Sequence, residues 1–454
     1  MNKIRPQLPT GMRDYLPADV LRRQYVINTI SGVFERYGYE PLQTPVLEMQ
    51  ETLMGKYGED AEKLIFHAKH PMGKEELALR YDLTVPLVRF FALNESKLSL
   101  PFKRYHIAPV WRADRPQRGR YREFYQCDAD TVGIAGMEAD AEAVSVAVSA
   151  LRELGFREFA VKINNRKLLI GIGQYAGLEG EALSNLYRSI DKLDKIGVDG
   201  VRKELLDNGI AASIVDKIMK MITSAHSDRS DSYAAAAQNI GALREELDGT
   251  PSAMEGLDEL EQLVNNLMAL NTPAENIDLD FSMVRGLSYY TGPIFEAVLL
   301  SDDPEERVGS VAGGGRYDDL IGLFRKDTLP TVGISLGIER LIYIMDKRNM
   351  YPPSINRTVV QVLVSVFNAE TKAESMRFAS ELRGEGIRTE LFMQDNKGIG
   401  KQFGYADKKG IPIVAVMGPD EIARGEVKLK RLADQHEVTV LRTQALDTLH
   451  SLLD

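Results

Sequence analysis

The stretch DRPQRGRYREFYQCDAD, residues 114–130, places four arginines among its first nine residues and then becomes aromatic and acidic. The overlapping segments FKRYHIAPVWRAD and YREFYQCDADTVG predict two strands separated by a turn. Arginine keeps its charge, and its planar guanidinium group can donate two parallel hydrogen bonds to phosphate oxygens. This hairpin would therefore present several guanidinium groups to a polyphosphate. Phe124 would then stack on a base. The same residues also fit a solvated basic hairpin or a salt-bridge network without any phosphate.

The positive charge of this stretch is local, because the chain of 454 residues has a formal net charge of -10 and a pI of about 5.4. A polyanionic partner must therefore be met by a patch rather than by the whole surface. The single cysteine, Cys127, cannot form an internal disulfide or a cysteine-ligated metal site, which fits a reducing compartment. The N-terminus has no apolar signal core, and no stretch approaches about 18 apolar residues in a row. We therefore expect a cytoplasmic protein that does not enter a membrane.

Upstream of this stretch, apolar residues recur at helical spacing over residues 18–37 and predict a helix that stops at Gly38. In the following YGYEPLQTPVLE, Pro41 and Pro45 favour an edge strand or an interface segment over a central strand. The segment LALRYDLTVPLVRFFAL, residues 77–93, is interpreted as a further strand. Together these segments predict a mostly antiparallel sheet with helices.

Downstream, residues 137–154 have a helical pattern, and residues 168–270 show helical spacing with almost no strand signal. Strands return with IDLDFSMV, IFEAVLL and TVGISLG, and IERLIYIMDKR predicts a closing helix. The segment NMYPPSINR, residues 349–357, is typical of a linker. Beyond it, short apolar runs alternate with helical segments near 370–385 and 397–409, which indicates a small α/β domain with a parallel sheet.

This organisation predicts an α+β protein of several domains. Residues 1–167 and 271–348 would form the first domain around the antiparallel sheet. Residues 168–270 would form a helical insertion within it, residues 349–357 a linker, and residues 358–454 the C-terminal α/β domain.

A second segment whose residues are suited to binding or catalysis is VRGLSYYTGPIFEA, residues 284–297. It joins Arg285, Tyr289 and Tyr290 to a turn framed by glycines. Such a turn can hold an arginine and a tyrosine hydroxyl over a small polar ligand. A hairpin with core aromatic residues is the alternative interpretation.

Two glycine-containing segments follow. VAGGGRYDDLIG puts three glycines before Arg316 and Tyr317, which permits close backbone approach but is a weak signal for a nucleotide loop. TVGISLGIERLIY sets Arg340 at the start of a helix. That arginine would face a nucleotide, pair with Glu339 or cap the fold.

The sequence contains no G-x-x-x-x-G-K-[ST] loop and no H-E-x-x-H. His67 and His70 have a metal-like spacing, but no third ligand lies nearby in the sequence, so we expect no metal site there. Cys127 lies among polar residues on a predicted strand, and we expect a structural rather than a nucleophilic role for it.

Taken together, these segments resemble the class II aminoacyl-tRNA synthetases, and within them the histidyl-tRNA synthetase family, over nearly the whole chain. PTGMRDYLP resembles the N-terminal signature of that family, FERYGYEPLQTPVLE its dimer-forming motif 1, VWRADRPQRGRYREFYQ its motif 2 and VGISLGIERL its motif 3. RGLSYYTG together with GGGRYD is similar to the pair that marks the histidine-specific branch. DNKGIGKQFGYADKKGIPIVAVMG is similar to the anticodon-binding domain of the family.

The resemblance implies an enzyme that joins histidine to tRNA. Its fold would combine a class II catalytic domain, the helical insertion domain and the C-terminal anticodon-binding domain. The enzyme would be a homodimer that activates L-histidine with ATP, accompanied by Mg²⁺, and then charges tRNA(His). No resident metal is implied.

For ATP, the resemblance implies that Arg112 grips the α-phosphate, Phe124 stacks on adenine, and Arg340 covers the other face of the base and reaches the γ-phosphate. Arg120, in the motif 2 turn, would also bind ATP. Arg285 matches the arginine that sits against the α-phosphate and the histidine carboxylate, a part that other class II enzymes give to a metal ion. Arg285 and Arg112 would be the catalytic residues.

For histidine, the resemblance implies acceptors for the ammonium group and partners for both ring nitrogens. Asp82, Thr84 and Gln126 would hold the ammonium group, and Asp130 and Tyr290 the ring. The histidine-binding set is completed by Tyr317, Tyr289, Arg112 and Arg285. Many bacterial members carry glutamate at the positions of Asp82 and Asp130, and the shorter acids here resemble the eukaryotic and archaeal branch.

Two alternatives stay open at the level of sequence. One is a non-catalytic paralogue that senses histidine and regulates ATP phosphoribosyltransferase, against which the arginine set and the tRNA-reading domain argue. The other is a class II synthetase of different specificity, against which RGLSYYTG argues.

Overall fold

The computed structural model describes residues 5–54, 62–117, 119–223, 232–284, 289–355, 357–393 and 398–453. These residues form two compact units. The first comprises the chain up to Arg13 together with Val26–Met350, and the second comprises Asp14–Tyr25 together with Tyr351–Asp454. The finer domain limits given above, including the 168–270 insertion and the 349–357 linker, stay a prediction.

The strands of the first unit are β1 (Glu40–Pro41), β2 (Leu47–Met49), β3 (His67–Lys69), β4 (Glu76–Leu79), β5 (Phe102–Trp111), β6 (Glu123–Val132), β7 (Phe159–Asn165), β8 (Ile277–Leu279), β9 (Pro293–Leu299), β10 (Ser310–Arg316) and β11 (Thr331–Gly337). Those of the second are β12 (Val362–Val364), β13 (Thr389–Leu391), β14 (Ile413–Val416), β15 (Glu426–Arg431) and β16 (Glu437–Leu441).

The helices, in chain order, are α1 (Pro17–Arg36), α2 (Gln50–Leu53), α3 (Thr84–Asn94), α4 (Glu138–Glu153), α5 (Arg166–Tyr175), α6 (Gly180–Ile190), α7 (Leu193–Asp207), α8 (Ala212–Thr223), α9 (Tyr233–Glu246), α10 (Pro251–Ala269), α11 (Asp318–Ile321), α12 (Ile338–Arg348), α13 (Lys372–Gly384), α14 (Ile399–Lys409), α15 (Pro419–Arg424) and α16 (Ala445–Leu453).

Within the described residues, the first unit is built on an eight-stranded sheet with the order β1-β5-β6-β11-β10-β9-β7-β8. The strands from β5 to β7 in this order pair antiparallel, and only the two edge strands, β1 and β8, pair parallel. Helix α4 packs against several of the central strands and buries an alanine- and valine-rich side. The predicted α+β fold with a mostly antiparallel sheet is confirmed. The short β2, β3 and β4 form a separate three-stranded sheet.

The interpretation of residues 77–93 as one strand was wrong. Only its first residues belong to β4, and the rest form α3. The Asp82 carboxylate accepts the backbone N–H groups of Thr84 and Val85 at 3.2 and 3.1 Å and so begins the helix. Pro86 is tolerated because it lies in the first turn of the helix, where a backbone N–H has no intrahelical acceptor and its absence costs no hydrogen bond.

Residues 168–270 were predicted to be helical, and the described part of this range contains α5 to α10, with no strand among those residues. Helices α5 and α10 cross closely: a Cβ added at Gly171 would lie 2.5 Å from Ala253. Two strands of the main sheet were not predicted. These strands are β7 and β10. β10 contains the glycine run and pairs with β9 on one side and with β11 on the other.

The second unit contains a five-stranded sheet with the order β13-β12-β14-β15-β16. The predicted parallel sheet is correct for β12, β13 and β14, but β15 and β16 pair antiparallel beyond them and were not predicted. Their sequences mostly alternate polar and apolar residues. In β15, Val427 and Leu429 are buried, while Lys428 pairs with Glu437 of β16.

Candidate active site

One face of β6 carries a row of functional side chains. Phe124, Gln126, Asp128 and Asp130 alternate with residues such as Cys127, and alternate residues of a strand point to the same face. Cys127 is fully buried, in agreement with a structural role. The cross-strand partners on β5 and β11 are Arg104 and Gly333 for Asp130, and His106 and Ser335 for Asp128.

Glycines on the neighbouring strands make room above this row. A Cβ added at Gly333 would lie 2.0 Å from Asp130 Oδ1, so a larger residue would displace that carboxylate. At Gly314 of β10, an added Cβ would lie 2.1 Å from the carbonyl oxygen of Gly333. The glycine run therefore lets β10 and β11 lie close together beside the site, rather than forming a phosphate-binding loop.

Two cavities open over this face of the sheet. The acid-lined cavity, of about 270 Å³, is bordered by Asp82, Thr84, Arg112, Gln126, Asp128, Asp130, Tyr289, Tyr290 and Tyr317. The arginine-lined cavity, of about 340 Å³, is bordered by Arg112, Asp114, Arg120, Tyr121, Phe124, Glu339 and Arg340. Arg112, Gly313 and Ser335 line both. Two ligands bound side by side would therefore meet at Arg112.

Arg112 is held at this junction by contacts from three directions. Its Nε donates to the carbonyl oxygen of Tyr81 at 3.0 Å, and its Nη2 donates to Gln126 Oε1 at 3.3 Å. Its guanidinium also lies 4.3 Å from the centre of the Tyr81 ring and 5.2 Å from that of Phe124. Gln126 in turn donates to Ser335 Oγ at 2.9 Å. These contacts leave the other guanidinium edges available for a ligand.

Three tyrosines form the opposite side of the acid-lined cavity. The rings of Tyr289 and Tyr290 lie 4.6 Å apart, and Tyr317 contacts Tyr289 edge to face. The Tyr317 hydroxyl donates to Asp130 Oδ1. Burial raises the pKa of Tyr290 to about 12 and the pKa of Tyr317 well above its ordinary value. Both phenols are therefore protonated hydrogen-bond donors at neutral pH.

The acidic groups of this cavity are themselves buried. Burial raises the pKa of Asp128 to about 7, and it also raises the pKa of Asp130, which Arg104 opposes. On the neighbouring strand, burial beside Arg104 and Arg80 lowers the pKa of His106 to about 3, so this imidazole is neutral. The cavity thus gathers acidic groups whose ionisation burial disfavours, and the buried Arg104 behind them favours their ionised forms.

The arginine-lined cavity is ordered by pairs within the motif 2 hairpin and by α12. Arg120 pairs with Asp114 at 2.8 Å. Arg340 donates to the carbonyl oxygen of Ser310, and the Glu339 carboxylate accepts the N–H of Tyr125 at 3.2 Å. Glu339 thereby anchors the β6 backbone, and the three alternatives for Arg340 stay predictions.

The structure brings together every predicted site residue that it describes. Arg285 lies outside the described residues, as does Arg118 of the motif 2 turn. Arg316, noted beside the glycine run, is buried and pairs with Asp140. It is therefore structural, and it also donates to the carbonyl oxygen of Gly136 at 3.1 Å.

Asp128, Ser335 and Arg104 are among the residues at the site that were not predicted from the sequence. The alternation of polar residues in FYQCDAD is the signal that could have found Asp128, because Gln126 and Asp130 lie two positions away on either side. Ser335 and Arg104 become neighbours of this row only through strand register.

The ring nitrogens of His67 and His70 contact other protein groups. His67 Nδ1 lies 3.1 Å from Gln50 Oε1, and His70 Nδ1 accepts the N–H of Met72 at 3.2 Å. Across the part of the chain that the structure describes, no group of three or more histidine, cysteine, aspartate or glutamate side chains is arranged to hold a metal ion.

Comparisons with known proteins agree over the whole length of the chain. The family model of histidyl-tRNA synthetase matches residues 11–341, and that of the anticodon binding domain matches residues 361–452. The histidine–tRNA ligase of Aeropyrum pernix is 41% identical over 99% of this chain and 99% of its own length. That of Bacteroides fragilis is 38% identical over 98% and 99%.

Solved structures have the same fold. Histidyl-tRNA synthetase from Nostoc sp. PCC 7120 superposes with a TM-score of 0.86 at 29% identity, covering 99% of this chain and 100% of that chain. An ATP phosphoribosyltransferase regulatory subunit/histidyl-tRNA synthetase from Bacillus halodurans C superposes with a TM-score of 0.73 at 22% identity, over 90% and 97% of the two chains. The second likeness shows the fold alone. The full-length matches, together with the paired cavities over the antiparallel sheet, establish that the chain belongs to the histidyl-tRNA synthetase family.

Proposed function

We propose that the two cavities bind L-histidine and ATP side by side, so that the chain acts as a histidine–tRNA ligase. The observation that carries this assignment is the shared border: Arg112 lines the acid-lined cavity and the arginine-lined cavity alike. A class II synthetase needs this arrangement, because the carboxylate of the amino acid must reach the α-phosphate of ATP.

In the first step, a carboxylate oxygen of histidine attacks the α-phosphorus, the bond to the bridging oxygen breaks, and pyrophosphate leaves. Arg112 is proposed to hold the α-phosphate, where its fixed charge stabilises the negative charge of the pentacoordinate phosphorus. Arg285 is proposed to act from the other side, on the α-phosphate and the histidine carboxylate. Holding both reactants in line supplies much of the remaining acceleration.

The ammonium group of histidine is proposed to bind near Asp82, Thr84 and Gln126. All three line the acid-lined cavity, and Asp82 is held in place because it also begins α3. The negative charge of this end suits a cation.

The imidazole ring is proposed to bind between Asp130 and Tyr290, with Tyr289 and Tyr317 around it. A neutral imidazole has one N–H donor and one acceptor nitrogen, which suit an ionised carboxylate and a protonated phenol respectively. An amino acid without both ring nitrogens would leave a buried partner unmatched, which is costly. The cavity therefore favours histidine over amino acids of similar size.

The adenine of ATP is proposed to stack on Phe124, with Arg340 on its other face and Arg120 near the outer phosphates. Phe124 and both arginines line the arginine-lined cavity. Mg²⁺ is proposed to arrive as part of the ATP substrate. The two carboxylates of this cavity, Asp114 and Glu339, already accept hydrogen bonds or pair within the protein, so the nucleotide phosphates are the better ligands for the ion.

In the second step, a ribose hydroxyl of the terminal adenosine of tRNA(His) attacks the carbonyl carbon of the adenylate, and AMP leaves. The second unit is proposed to read the anticodon, since the anticodon-domain match falls within it.

Homodimerisation through motif 1 is also proposed. Val46 and Leu47 of this motif, and Met49 directly after it, are large apolar residues that are exposed in the single chain.

A cytoplasmic location is proposed from the cysteine usage discussed above. None of the helices in the described ranges is long and apolar enough to cross a lipid bilayer. The regulatory alternative is less supported, because full-length relatives carry the ligase name and because the described arginines line a nucleotide-sized cavity.

The test is pyrophosphate exchange into ATP with the purified full chain. We expect exchange that depends on histidine and is absent with the other amino acids, followed by charging of tRNA(His). Absence of histidine-dependent exchange in a folded preparation would refute the enzymatic assignment. Exchange without charging would limit the chain to adenylate formation.

A further inference from the structure

Arg104 is a fully buried cation behind the histidine site. Its side chain has no exposed surface, and it lines neither of the two cavities. Its Nη2 lies 2.8 Å from Asp130 Oδ2 and donates to the carbonyl oxygen of Leu83 at 3.0 Å. Its Nε and Nη1 are buried without a hydrogen-bond partner in the described structure.

This arrangement is unfavourable for the free energy of folding, so stability alone does not explain it. A buried donor that loses water without gaining a partner costs free energy, and Arg104 has two. A buried ion pair is often no more stabilising than well-packed apolar side chains of similar volume. The position therefore calls for a reason beyond packing.

The two contacts of Arg104 join the two ends of the acid-lined cavity. Leu83 lies between Asp82 and Thr84, which are assigned to the ammonium group. Asp130, the direct cross-strand partner of Arg104, is assigned to the ring. One guanidinium thus spans from the start of α3 to the carboxylate on β6.

We propose that Arg104 is a positioning residue for histidine, which sets the separation of the two ends of the cavity and favours the ionised form of Asp130. This inference rests on the proposed function and deepens it. Arg104 touches neither substrate, so it acts through Asp130 and through the segment around Leu83.

The surroundings of Asp130 explain why it needs such a partner. Asp128 on the same strand and Asp82 before α3 are carboxylates that disfavour a further negative charge, and burial does the same. His106 is neutral and adds no positive charge. Tyr317 and Tyr290 are neutral donors. The cation that lowers the pKa of Asp130 is Arg104. Without it, the pKa of Asp130 would rise further, and a protonated Asp130 could no longer accept the ring N–H in the same way.

The test compares two variants. Arg104→Met keeps a long unbranched side chain but removes the positive charge, and Arg104→Lys keeps the positive charge but removes the planar guanidinium group. In pyrophosphate exchange, we expect Arg104→Met to raise the KM for histidine by about 10- to 100-fold, with the KM for ATP nearly unchanged. Arg104→Lys should recover part of that loss. Arg348→Met removes a pair with Glu306 that lies outside both cavities and should leave both constants unchanged.

The pH dependence gives a readout that a purely structural role would not move. We expect the ratio of the histidine KM of Arg104→Met to that of the unmodified chain to fall as pH rises from 6 to 9, as Asp130 ionises in the variant. Taking the ratio cancels the titration of free histidine. The ratio for Arg104→Lys should be nearly independent of pH.

A double variant separates stability from positioning. Arg104→Met with Asp130→Asn removes both members of the pair, so it should unfold in urea near the midpoint of the unmodified chain yet retain a high histidine KM. A normal histidine KM in Arg104→Met, a ratio independent of pH, or equal rises in the KM values for histidine and ATP would overturn the inference. If the unmodified chain itself showed no histidine-dependent exchange, the proposed function would fail instead.

Discussion

The substitution Gly333→Ala tests whether the floor of the histidine cavity is as tightly packed as the structure indicates. The added Cβ would lie 2.0 Å from Asp130 Oδ1 and 3.2 Å from the Tyr317 hydroxyl oxygen. Such a carbon needs at least about 3 Å, so the carboxylate must move by about 1 Å. It cannot simply rotate away, because Tyr317 holds Oδ1 and Arg104 pairs with Oδ2.

A displacement of about 1 Å in a positioned group can cost about a hundredfold in activity. We therefore expect the histidine kcat/KM of Gly333→Ala in pyrophosphate exchange to fall by about that factor, with a smaller change in the KM for ATP. Overpacking should also lower the free energy of unfolding by about 1–3 kcal/mol.

The matched control is Gly241→Ala, at an exposed position in α9 where an added Cβ meets no atom within 4 Å. It should leave exchange unchanged and stabilise slightly, because alanine is the better helix former by up to about 1 kcal/mol. A folded Gly333→Ala protein with normal histidine kcat/KM would refute the assignment of Asp130 to the ring, or the geometry of the sheet at this point.

Two further predictions concern charge. Arg285→Ala should reduce exchange far more than it weakens histidine binding, measured by calorimetry, because its guanidinium is assigned to the transition state; equal losses would place it in substrate binding instead. Asp128→Asn tests the buried carboxyl whose folded pKa, about 7, lies above that of the unfolded chain. The folded state then holds a proton that the unfolded state has released, so the unfolding free energy falls as pH rises from 4 to 7. The stability of Asp128→Asn relative to the unmodified chain should rise across this window by at most about 1.4 kcal/mol per pH unit, measured in urea; a constant difference would show that Asp128 is ionised throughout.

The sequence by itself determined the family and supplied most of the residues proposed for the site. Short motifs made this possible, because their residue types indicate a function without knowledge of the rest of the chain. They are the arginines around a turn, the tyrosines after a glycine, and the arginine at the start of a helix. These residues are proposed to contact ligands directly, so their chemical identity reports their proposed role. The helical character of residues 168–270 and the helix near residue 20 also followed from periodicity, which is a local property.

The segment from Leu77 to Leu93 shows where local reasoning failed. Its apolar residues fit a strand as well as a helix, and the choice is made by Asp82, whose carboxylate accepts the N–H groups that open α3. The glycine run before Arg316 likewise has no strand propensity of its own. It is extended because two neighbouring strands supply its hydrogen bonds.

What only the tertiary structure decided is how the recognised residues are supported. Arg104 stands 26 positions before Asp130 and Gly333 stands 203 positions after it in the sequence, yet strand register sets them on either side of that carboxylate. Neither residue type signals a histidine site, since one is an arginine without a ligand and the other has no side chain. The charge and position of a buried carboxylate depend on what surrounds it, and those surroundings are assembled from distant strands by the pairing of the sheet.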